Sequence, residues 1–424
     1  MNKHHYIKWG LFSFYFLSIP LIAVPYTSPI PAEQAVSIDD REQQRQKERE
    51  RILQQQNRPD IDTRLSHSDI ELPDYPINEK PCFWINTFTL EGEASRDFQW
   101  TLKAVDDAKD HCLGGQGVLL VVNKIQNEIL SKGYVTTRVM VQEQDLTQGH
   151  LTLTLQPGRI HEIRFDDNVS WRARLWNAIP TSSGNILNLR DIEQGLENFK
   201  RVPNVTANIQ IVPGKEDATS DLVVSWQEQR PIRLSLGLDD SGSKSTGRYL
   251  GSATLAIDAP FSQNDLFYAN VGKDYFDNGP FGNRSYTFNY FIPVGNWGFA
   301  ANYNHYTYHQ NIPNANEILR YSGESDNTQF TVSRLLFRNQ FHKTTLNMRV
   351  YRKHSTNAVN GIDIDQQHRR TAGWEIGFNQ RSYFGNATLD ANLNWRRGTG
   401  GIWCSTCPRR RHSQWECQNR TFFR

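Results

Sequence analysis

Between residues 231 and 397 the chain alternates apolar and polar side chains, and this pattern limits the fold more than any other feature. In ATLDANLNWR, Leu389 and Leu393 point to one face of an extended strand, whereas Asp390 and Arg396 point to the other. The segments SYTFNYFI, TLNMRVYRK and WEIGFNQ repeat the pattern, and short turns alternate with longer polar loops, such as the one predicted over Gln310–Thr328. Because successive side chains of a β-strand point to opposite faces, the pattern predicts about nine antiparallel strands with two unlike faces.

These strands are compatible with a soluble β-sandwich and with a transmembrane β-barrel. Their length approaches the roughly 9–11 residues that a tilted membrane strand needs. Aromatic residues cluster toward the strand ends, as in the interfacial girdles of barrels. The polar face carries full charges, which suit an aqueous lumen better than a packed core. We therefore predict part of an antiparallel transmembrane β-barrel over residues 230–400 and keep the sandwich as the alternative.

Residues 1–32 have the parts of a secretory signal peptide. Lys3 and Lys8 supply positive charge, and an almost wholly apolar run extends from Trp9 to Val24 before several prolines. A single transmembrane anchor is the alternative, but the apolar run is shorter than the ~20 residues that a helix needs to cross a bilayer. We expect a signal peptide that is removed on export.

Two polar segments come next. Residues 33–57, which include DDREQQRQKERERILQQQ, are rich in helix-forming residues and poor in apolar ones. A helix that is polar all round cannot lie in an apolar core, so this segment is either a solvated arm or a helix in a wet place such as a water-filled pore. Residues 58–80 combine prolines with polar residues and are predicted to form a linker.

Residues 81–157 and 158–229 share one order of predicted elements: strand, helix, helix, strand, strand. In the first unit the elements are CFWINTFTLEG, FQWTLKAVDDAKDHC, VLLVVNKIQNEILSKGY, VTTRVMVQE and HLTLTLQPG. In the second they are RIHEIRF, WRARLWNAIP as a short helix, LRDIEQGLENFKRVP, ANIQIVPG and LVVSWQE. Two copies of one order indicate an internal repeat of α+β units.

Cys82 and Cys112 both lie in the first of these units. Since the chain is predicted to be exported to an oxidising compartment, we predict a disulfide between them. Closing a loop of this length should stabilise the unit by ~3 kcal/mol in the chain-entropy model.

The motifs of common enzymes are missing from the sequence. There is no G-x-S-x-G, no H-E-x-x-H and no phosphate-binding loop. Charge is nearly balanced, with 47 basic and 45 acidic residues, which gives no global attraction to nucleic acid. We expect no catalytic residues, no cofactor and no nucleic-acid partner.

A series of motifs runs through most of the chain in a fixed order. It consists of QQQNRPDID, PCFWI with its partner Cys112, SKGYVTTRV, LTLTLQPGRIHEIRF and SGSKSTGRYLGSATLAIDAPF. The series resembles the two-partner secretion transporters of the haemolysin-activator type, in the Omp85 superfamily, over roughly residues 33–400. The beginning of the chain is most similar to the transporters of contact-dependent growth inhibition systems (the CdiB type).

The resemblance implies an outer-membrane protein whose two α+β repeats are polypeptide-transport-associated (POTRA) domains in the periplasm. It implies that residues 33–57 form a helix that plugs the pore at rest. Partners would be outer-membrane lipid, the barrel-assembly machinery and one large unfolded exoprotein encoded nearby, of the contact-dependent inhibition toxin, haemolysin or adhesin type. A barrel insertase of the same superfamily and a non-transporting periplasmic or surface binding protein are the alternatives.

The resemblance also predicts a client-binding edge. In a POTRA sheet of this family the second strand, here about residues 134–142, lies at the sheet edge, where an unfolded client could add a strand. An ordinary edge capped by solvent is the alternative. The candidate client-binding residues are Tyr134, Val135, Thr137, Val139 and Val141.

After residue 400 the sequence departs from the family. Such barrels have 16 strands, of which about nine are present, and the last segment loses the alternating pattern. We expect residues 401–424 to be an aberrant, frameshifted tail and this shortened form to be inactive. The alternative for the tail is a zinc knuckle, because its spacing of metal-binding residues fits one; we nevertheless predict no metal site. The residues concerned are Cys404, Cys407, His412 and Cys417.

Overall fold

The computed structural model describes residues 32–57, 61–65, 72–167, 169–275, 279, 281–313 and 317–399. In chain order it contains the long helix α1 (Ala32–Asn57), two small α+β units and one large antiparallel sheet. The predicted signal peptide, except for its last residue, and the predicted tail with its zinc-knuckle residues lie outside these ranges.

None of the helices in the described ranges is both long enough and apolar enough to cross a bilayer.

The first unit, POTRA1, is a three-stranded sheet with one helix packed on it. Its elements are β1 (Phe83–Trp84), β2 (Thr87–Gly92), a 3₁₀ segment (Ser95–Asp110), β3 (Cys112–Leu113), α2 (Gly115–Ser131), β4 (Arg138–Val141), a 3₁₀ turn (Leu146–Gln148) and β5 (His150–Gln156). The sheet order is β2-β5-β4, with β2 parallel and β4 antiparallel to β5. The first predicted strand is therefore divided in two, because β1 leaves the sheet to pair with β3.

Helix α2 holds POTRA1 together through one apolar face. Leu120, Val121, Ile125 and Ile129 recur at helical spacing and are buried against the sheet. Cys82 and Cys112 are joined by a disulfide beside β1 and β3. The linker reaches the start of the helix and caps it. The carboxylate of Glu79 accepts hydrogen bonds from the N–H groups at 114, 116 and 117 over 2.7–2.9 Å.

The second unit, POTRA2, repeats this topology. Its elements are β6 (Arg159–Phe165), α3 (Leu189–Lys200), β7 (Val205–Pro213) and β8 (Thr219–Glu228), with sheet order β6-β8-β7. The short helix predicted for WRARLWNAIP is wrong, because this segment forms isolated turns. The side chain of Asn177 donates hydrogen bonds to the carbonyls of Gln263 and Pro293. The segment is thus held against turns of the large sheet and does not form a regular helix.

The two units meet at a junction that needs glycine. Gly133 has a φ of +96°, and a Cβ there would lie 2.6 Å from Oδ1 of Asn188. A Cβ on Gly158 would lie 2.1 Å from Oγ1 of Thr136. The N–H of Leu189 donates to the carbonyl of Gly133 over 2.8 Å, so the last turn after α2 is bonded to the first turn of α3.

The large sheet is antiparallel throughout, and its order is β18-β17-β15-β14-β13-β12-β11-β10-β9, with the short β16 paired to β15. The strands are β9 (Ile232–Asp239), β10 (Leu250–Asp258), β11 (Leu266–Asp274), β12 (Phe281–Val294), β13 (Trp297–Pro313), β14 (Ile318–Arg338), β15 (His342–Val359), β16 (Ile362–Asp363), β17 (Arg369–Phe384) and β18 (Ala387–Gly398). Within the described residues the end strands β9 and β18 have one partner each. The predicted fold class, α+β POTRA repeats followed by about nine antiparallel barrel strands, is confirmed.

The sheet has one apolar and one polar face. Rows of residues that are direct cross-strand neighbours are apolar on what we call the outer face. One row is Tyr290, Ala301, Phe330, Val350 and Trp374, and the next is Ile292, Phe299, Val332, Met348, Ile376 and Trp395. The alternate rows form the inner face and are polar, for example Thr287, Asn304, Asn327, Lys353 and Thr371. Exposed apolar side chains such as Phe330 and Trp395 fit contact with lipid.

Candidate functional site

Helix α1 lies against the inner face of the large sheet. The hydroxyl of Tyr306 on β13 donates a hydrogen bond to Oε2 of Glu42 over 2.9 Å. Nζ of Lys353 on β15 donates to Oε1 of Gln43 over 2.6 Å. Both partners alternate with the outward-pointing apolar residues of their strands, so α1 occupies the polar side.

Further contacts of α1 are charged or polar. Arg369 and Asp40 form an ion pair at 3.6 Å, and the guanidinium of Arg49 lies 5.6 Å from the ring centre of Tyr306. Glu42 is only 3% exposed, and its second oxygen accepts from Arg45. The inner face therefore supplies hydrogen-bond and charge partners for this polar helix, which an apolar core could not supply.

After α1 the linker is held between POTRA2 and the large sheet. The N–H of Thr63 donates to Oε1 of Glu197 over 3.1 Å, and the N–H of Leu65 donates to Oε1 of Glu193 over 2.7 Å. The guanidinium of Arg338, at the end of β14, donates to the carbonyl of Thr63. The extended linker at residues 63–65 therefore forms three backbone hydrogen bonds with side chains that are far away in sequence.

Side chains of the linker add to this attachment. Asp62 accepts a hydrogen bond of 2.6 Å from the hydroxyl of Tyr383 on β17. The guanidinium of Arg64 lies 3.9 Å from the centre of the same ring, close enough for a cation–π contact. Leu65 packs against the apolar core of POTRA2. Linker residues 61–65 are thus bound to both the second POTRA unit and the sheet.

The glutamates of α3 belong to a buried group of charges. Arg338, with a side chain 4% exposed, bonds to Glu193 at 2.8 Å and to Glu197 at 2.9 Å. Lys343 on β15 bonds to Glu197 at 2.6 Å, and Arg190 bonds to Glu193 at 2.6 Å. Because buried ions are stable only when paired, this group locks POTRA2 to the turn between β14 and β15. We call these five residues the buried ion cluster.

The cluster fixes the charge of Glu197. Burial acts to raise the pKa of Glu197, but the charges of Lys343 and Arg338 outweigh burial and hold the pKa below its ordinary value. Glu197 is therefore ionised at neutral pH and pairs as a carboxylate with Arg338 and Lys343.

The predicted client-binding edge is present but shorter than expected. β4 is an edge strand of the POTRA1 sheet, and it spans residues 138–141 instead of about 134–142. Of the candidate residues, Val141 is exposed and Val139 is buried in the POTRA1 core.

The other three candidates precede β4 and have structural partners. Tyr134 packs edge-on against Phe98 in the POTRA1 core. Val135 packs against the POTRA2 core, and Oγ1 of Thr137 accepts a hydrogen bond from the N–H of Gly158. Tyr134 therefore belongs to the POTRA1 core, whereas Val135 and Thr137 lie at the boundary with POTRA2. The edge that a client strand could use is β4 itself.

Within the described residues, two groups of side chains could offer ligand atoms to a metal. In each of them a histidine hydrogen-bonds to an aspartate, His161 to Asp221 at 2.8 Å and His305 to Asp326 at 2.9 Å. Because these hydrogen bonds already occupy the ligand atoms, we assign the two groups no metal.

The sequence did not reveal the buried ion cluster. Arg338 and Lys343 lie about 145 positions from Glu193 and Glu197, and nothing local relates them. The only signal was the composition of α3, whose two glutamates recur at one-turn spacing on the same side of a short helix.

Comparison with known proteins matches this arrangement. The profile of a POTRA domain of the ShlB type matches residues 83–158, and a POTRA profile matches residues 159–213. The profile of haemolysin secretion/activation proteins ShlB/FhaC/HecB matches residues 218–419. Periplasmic POTRA units, a membrane-type sheet and a polar helix on its inner face define an outer-membrane transporter of the two-partner secretion class.

Individual relatives specify the family. The outer membrane transporter CdiB-2 of Burkholderia pseudomallei (strain 1026b) is 33% identical over 406 residues, which cover 91% of this chain and 69% of the relative. CdiB of Dickeya dadantii (strain 3937) is 28% identical, covering 74% of this chain and 56% of the relative. The solved structure of CdiB from Acinetobacter baumannii has a TM-score of 0.73 at 33% identity, covering 87% of this chain and 70% of that one.

This chain belongs to the ShlB/FhaC/HecB family of haemolysin secretion/activation proteins, and its similarity to CdiB transporters extends over most of its length. It is an outer-membrane protein with its POTRA domains in the periplasm. It spans between about half and about seven tenths of the length of these relatives.

Proposed function

We propose that this chain acts in the export of a large unfolded exoprotein across the outer membrane, with transport and not catalysis as its role. POTRA1 binds the client, the large sheet belongs to the wall of the export pore, and α1 occupies that pore at rest. Outer-membrane lipid contacts the outer face, and the barrel-assembly machinery inserts the strands. The client is a secreted protein encoded nearby, of the contact-dependent inhibition toxin, haemolysin or adhesin type.

The position of α1 carries this proposal. A polar helix that bonds to Tyr306 and Lys353 on the inner face supports a water-lined passage on that side of the sheet. Buried polar groups of the inner face, such as Asn289 and Asn304, are expected where a solvated chain passes and not in a sandwich core. The helix also favours secretion over insertion of other barrels, since a plug is needed where a pore would otherwise leak.

The edge of POTRA1 supports client binding. In an antiparallel pair, neighbouring residues point their backbone N–H and C=O groups to opposite sides of the strand. The N–H of Val139 bonds to a side chain outside the sheet, so Val139 and Val141 direct these groups away from β5. An unfolded segment can add to this side through backbone hydrogen bonds, whatever its sequence.

Replacing Val141 by proline tests the docking. Val141→Pro removes an outward N–H and adds a ring at the edge, while the bonds between β4 and β5 remain. We expect a urea-unfolded, fluorescently labelled N-terminal fragment of the exoprotein encoded beside this chain to bind the detergent-solubilised chain. The substitution should weaken that binding about tenfold, measured by fluorescence anisotropy.

A matched control lies in POTRA2. Ile211 is the corresponding position near the end of the edge strand β7, where the register with β8 also directs its N–H outward. Ile211→Pro should leave binding unchanged. Equal binding by wild type and Val141→Pro would contradict docking at β4, and loss of binding in Ile211→Pro alone would move the site to POTRA2.

A further inference from the structure

A glutamine side chain covers the edge to which the client would bind. Gln126 lies on α2, and its carboxamide reaches the outward side of β4. Its Nε2 donates to the carbonyl of Thr137 over 2.9 Å, and its Oε1 accepts from the N–H of Val139 over 3.1 Å. One side chain thus satisfies one acceptor and one donor of the same strand edge.

These two backbone groups are the ones that an added strand would use. Thr137 and Val139 are two positions apart, so the carbonyl of the first and the N–H of the second point to the same side of the strand. A neighbouring strand would offer them one N–H and one C=O, and the carboxamide offers the same two kinds of group. Gln126 therefore takes the place of the backbone groups of a partner strand.

We propose that Gln126 is a lock on the client-binding edge of POTRA1, which an incoming strand must displace before it pairs with all of β4. The inference rests on the proposed function of that edge. Displacement exchanges two existing hydrogen bonds for two new ones, so these positions contribute little net affinity. Only the outward groups from the carbonyl of Val139 to Val141 add bonds without displacing the glutamine. The lock keeps the edge satisfied when no client is present and keeps client binding weak enough to release the chain into the pore.

Two other glutamines show that the contact is specific to its position. The carboxamide of Gln144 also bonds to one backbone N–H and one backbone C=O, both of Thr152. Thr152 lies on the central strand β5, away from the outward side of β4. In POTRA2, the carboxamide of Gln194 on α3 bonds to Asn198 and Arg338. Gln144 is therefore the matched control for Gln126.

The test compares Gln126→Met with Gln144→Met in the full chain in detergent. Methionine keeps the length and helix propensity of glutamine but cannot form the two hydrogen bonds. The probe is the labelled N-terminal fragment of the neighbouring exoprotein. We expect Gln126→Met to bind it about tenfold more tightly, because binding no longer breaks two hydrogen bonds. Gln126→Glu, which keeps the acceptor and loses the donor, should give a smaller gain, and Gln144→Met should bind as wild type.

Hydrogen exchange without client provides a second measurement. The Val139 amide should exchange about tenfold faster in Gln126→Met, whereas the Met140 amide, which bonds to β5, should keep its rate. Equal exchange at Val139 in both proteins would overturn the lock.

Failure of the lock and failure of the docking give different results. If Val141→Pro weakens fragment binding but neither variant at position 126 strengthens it, the lock is wrong and the docking stands. If Val141→Pro and the variants at 126 all bind as wild type, docking at β4 is wrong and the lock is wrong with it.

Discussion

The two POTRA units have the same sheet order and different surroundings. In POTRA1, α2 buries one apolar face and leaves the opposite side exposed, as in an ordinary surface helix. In POTRA2 nearly every residue of α3, including Glu193, Glu197 and Asn198, is buried between its own sheet, the linker and the turns of the large sheet. The same topology therefore has a helix with a solvent-exposed side in POTRA1 and a buried helix that anchors the unit to the large sheet in POTRA2.

The difference arises from what each helix presents to its neighbours. The polar side of α2 carries Gln126, which bonds only within POTRA1. The polar side of α3 carries carboxylates that meet Arg338 and Lys343 of the sheet and the backbone of the linker. The charges of α3 attach POTRA2, and not POTRA1, to the large sheet. POTRA1 is in turn connected to the sheet through POTRA2.

Removing the central cation should break the anchor and gives the largest expected effect. Arg338→Ala leaves two glutamates buried with fewer partners, and we expect a loss of about 3–5 kcal/mol in unfolding free energy. Thermal unfolding of the purified chain would measure this loss. Arg334→Ala is the control, since Arg334 is exposed and contacts the ring of Trp297, and it should cost less than about 1 kcal/mol. A similar small cost for both variants would contradict the anchoring role.

Removing the disulfide should weaken POTRA1 and leave POTRA2 unaffected. In Cys82→Ser/Cys112→Ser a loop with a sequence separation of 30 is no longer closed, and the local unfolding free energy of POTRA1 should fall by about 3 kcal/mol. Hydrogen exchange resolved by peptide would report each unit separately. Equal loss of protection in both units would contradict a local effect and would mean that the two units unfold together.

Acid should change the stability of POTRA2 through two carboxyl groups of α3. The pKa of Glu197 is lower in the folded protein than in the unfolded chain, so unfolding takes up a proton, and stability falls as pH decreases through and below the ordinary glutamate range. Asp191 at the start of α3 acts in the opposite sense. Burial raises the pKa of Asp191 to about 6, so its protonation stabilises the fold as pH falls below 6.

We therefore expect POTRA2 to gain stability slightly between pH 6 and about 5 and to lose it at lower pH. Unfolding by urea at a series of pH values would measure both changes. Asp191→Asn should remove the gain, and Glu197→Gln should reduce the acid-dependent loss. A monotonic profile that neither variant alters would show that these carboxyls do not govern the anchor.

Some elements of the fold could be predicted from the sequence more completely than others. The strands of the large sheet could be counted, since a period of two in side-chain direction is a local property. The loop predicted over Gln310–Thr328 is an exception, because β13 and β14 extend through most of it. The extended parts of these strands carry polar residues on both faces, so they lack the alternating pattern that identifies a strand in the sequence. Their backbone pairing nevertheless continues beyond the apolar rows of the sheet.

The candidate site was less accessible to prediction. The edge position of the second POTRA1 strand could be expected from the family resemblance. The inward partners of Val135 and Thr137 could not, because the contact with POTRA2 depends on how the two units pack.

Local sequence patterns are enough to predict a polar helix, two repeated α+β units and a series of strands with unlike faces. The position of α1 on the inner face, the attachment of POTRA2 to the sheet through α3 and the contact of Gln126 with the edge of β4 follow from the packing of the folded chain. The physical reason is that periodicity arises from neighbours along the chain. Charge pairs, edge caps and burial depend on residues that only folding brings together.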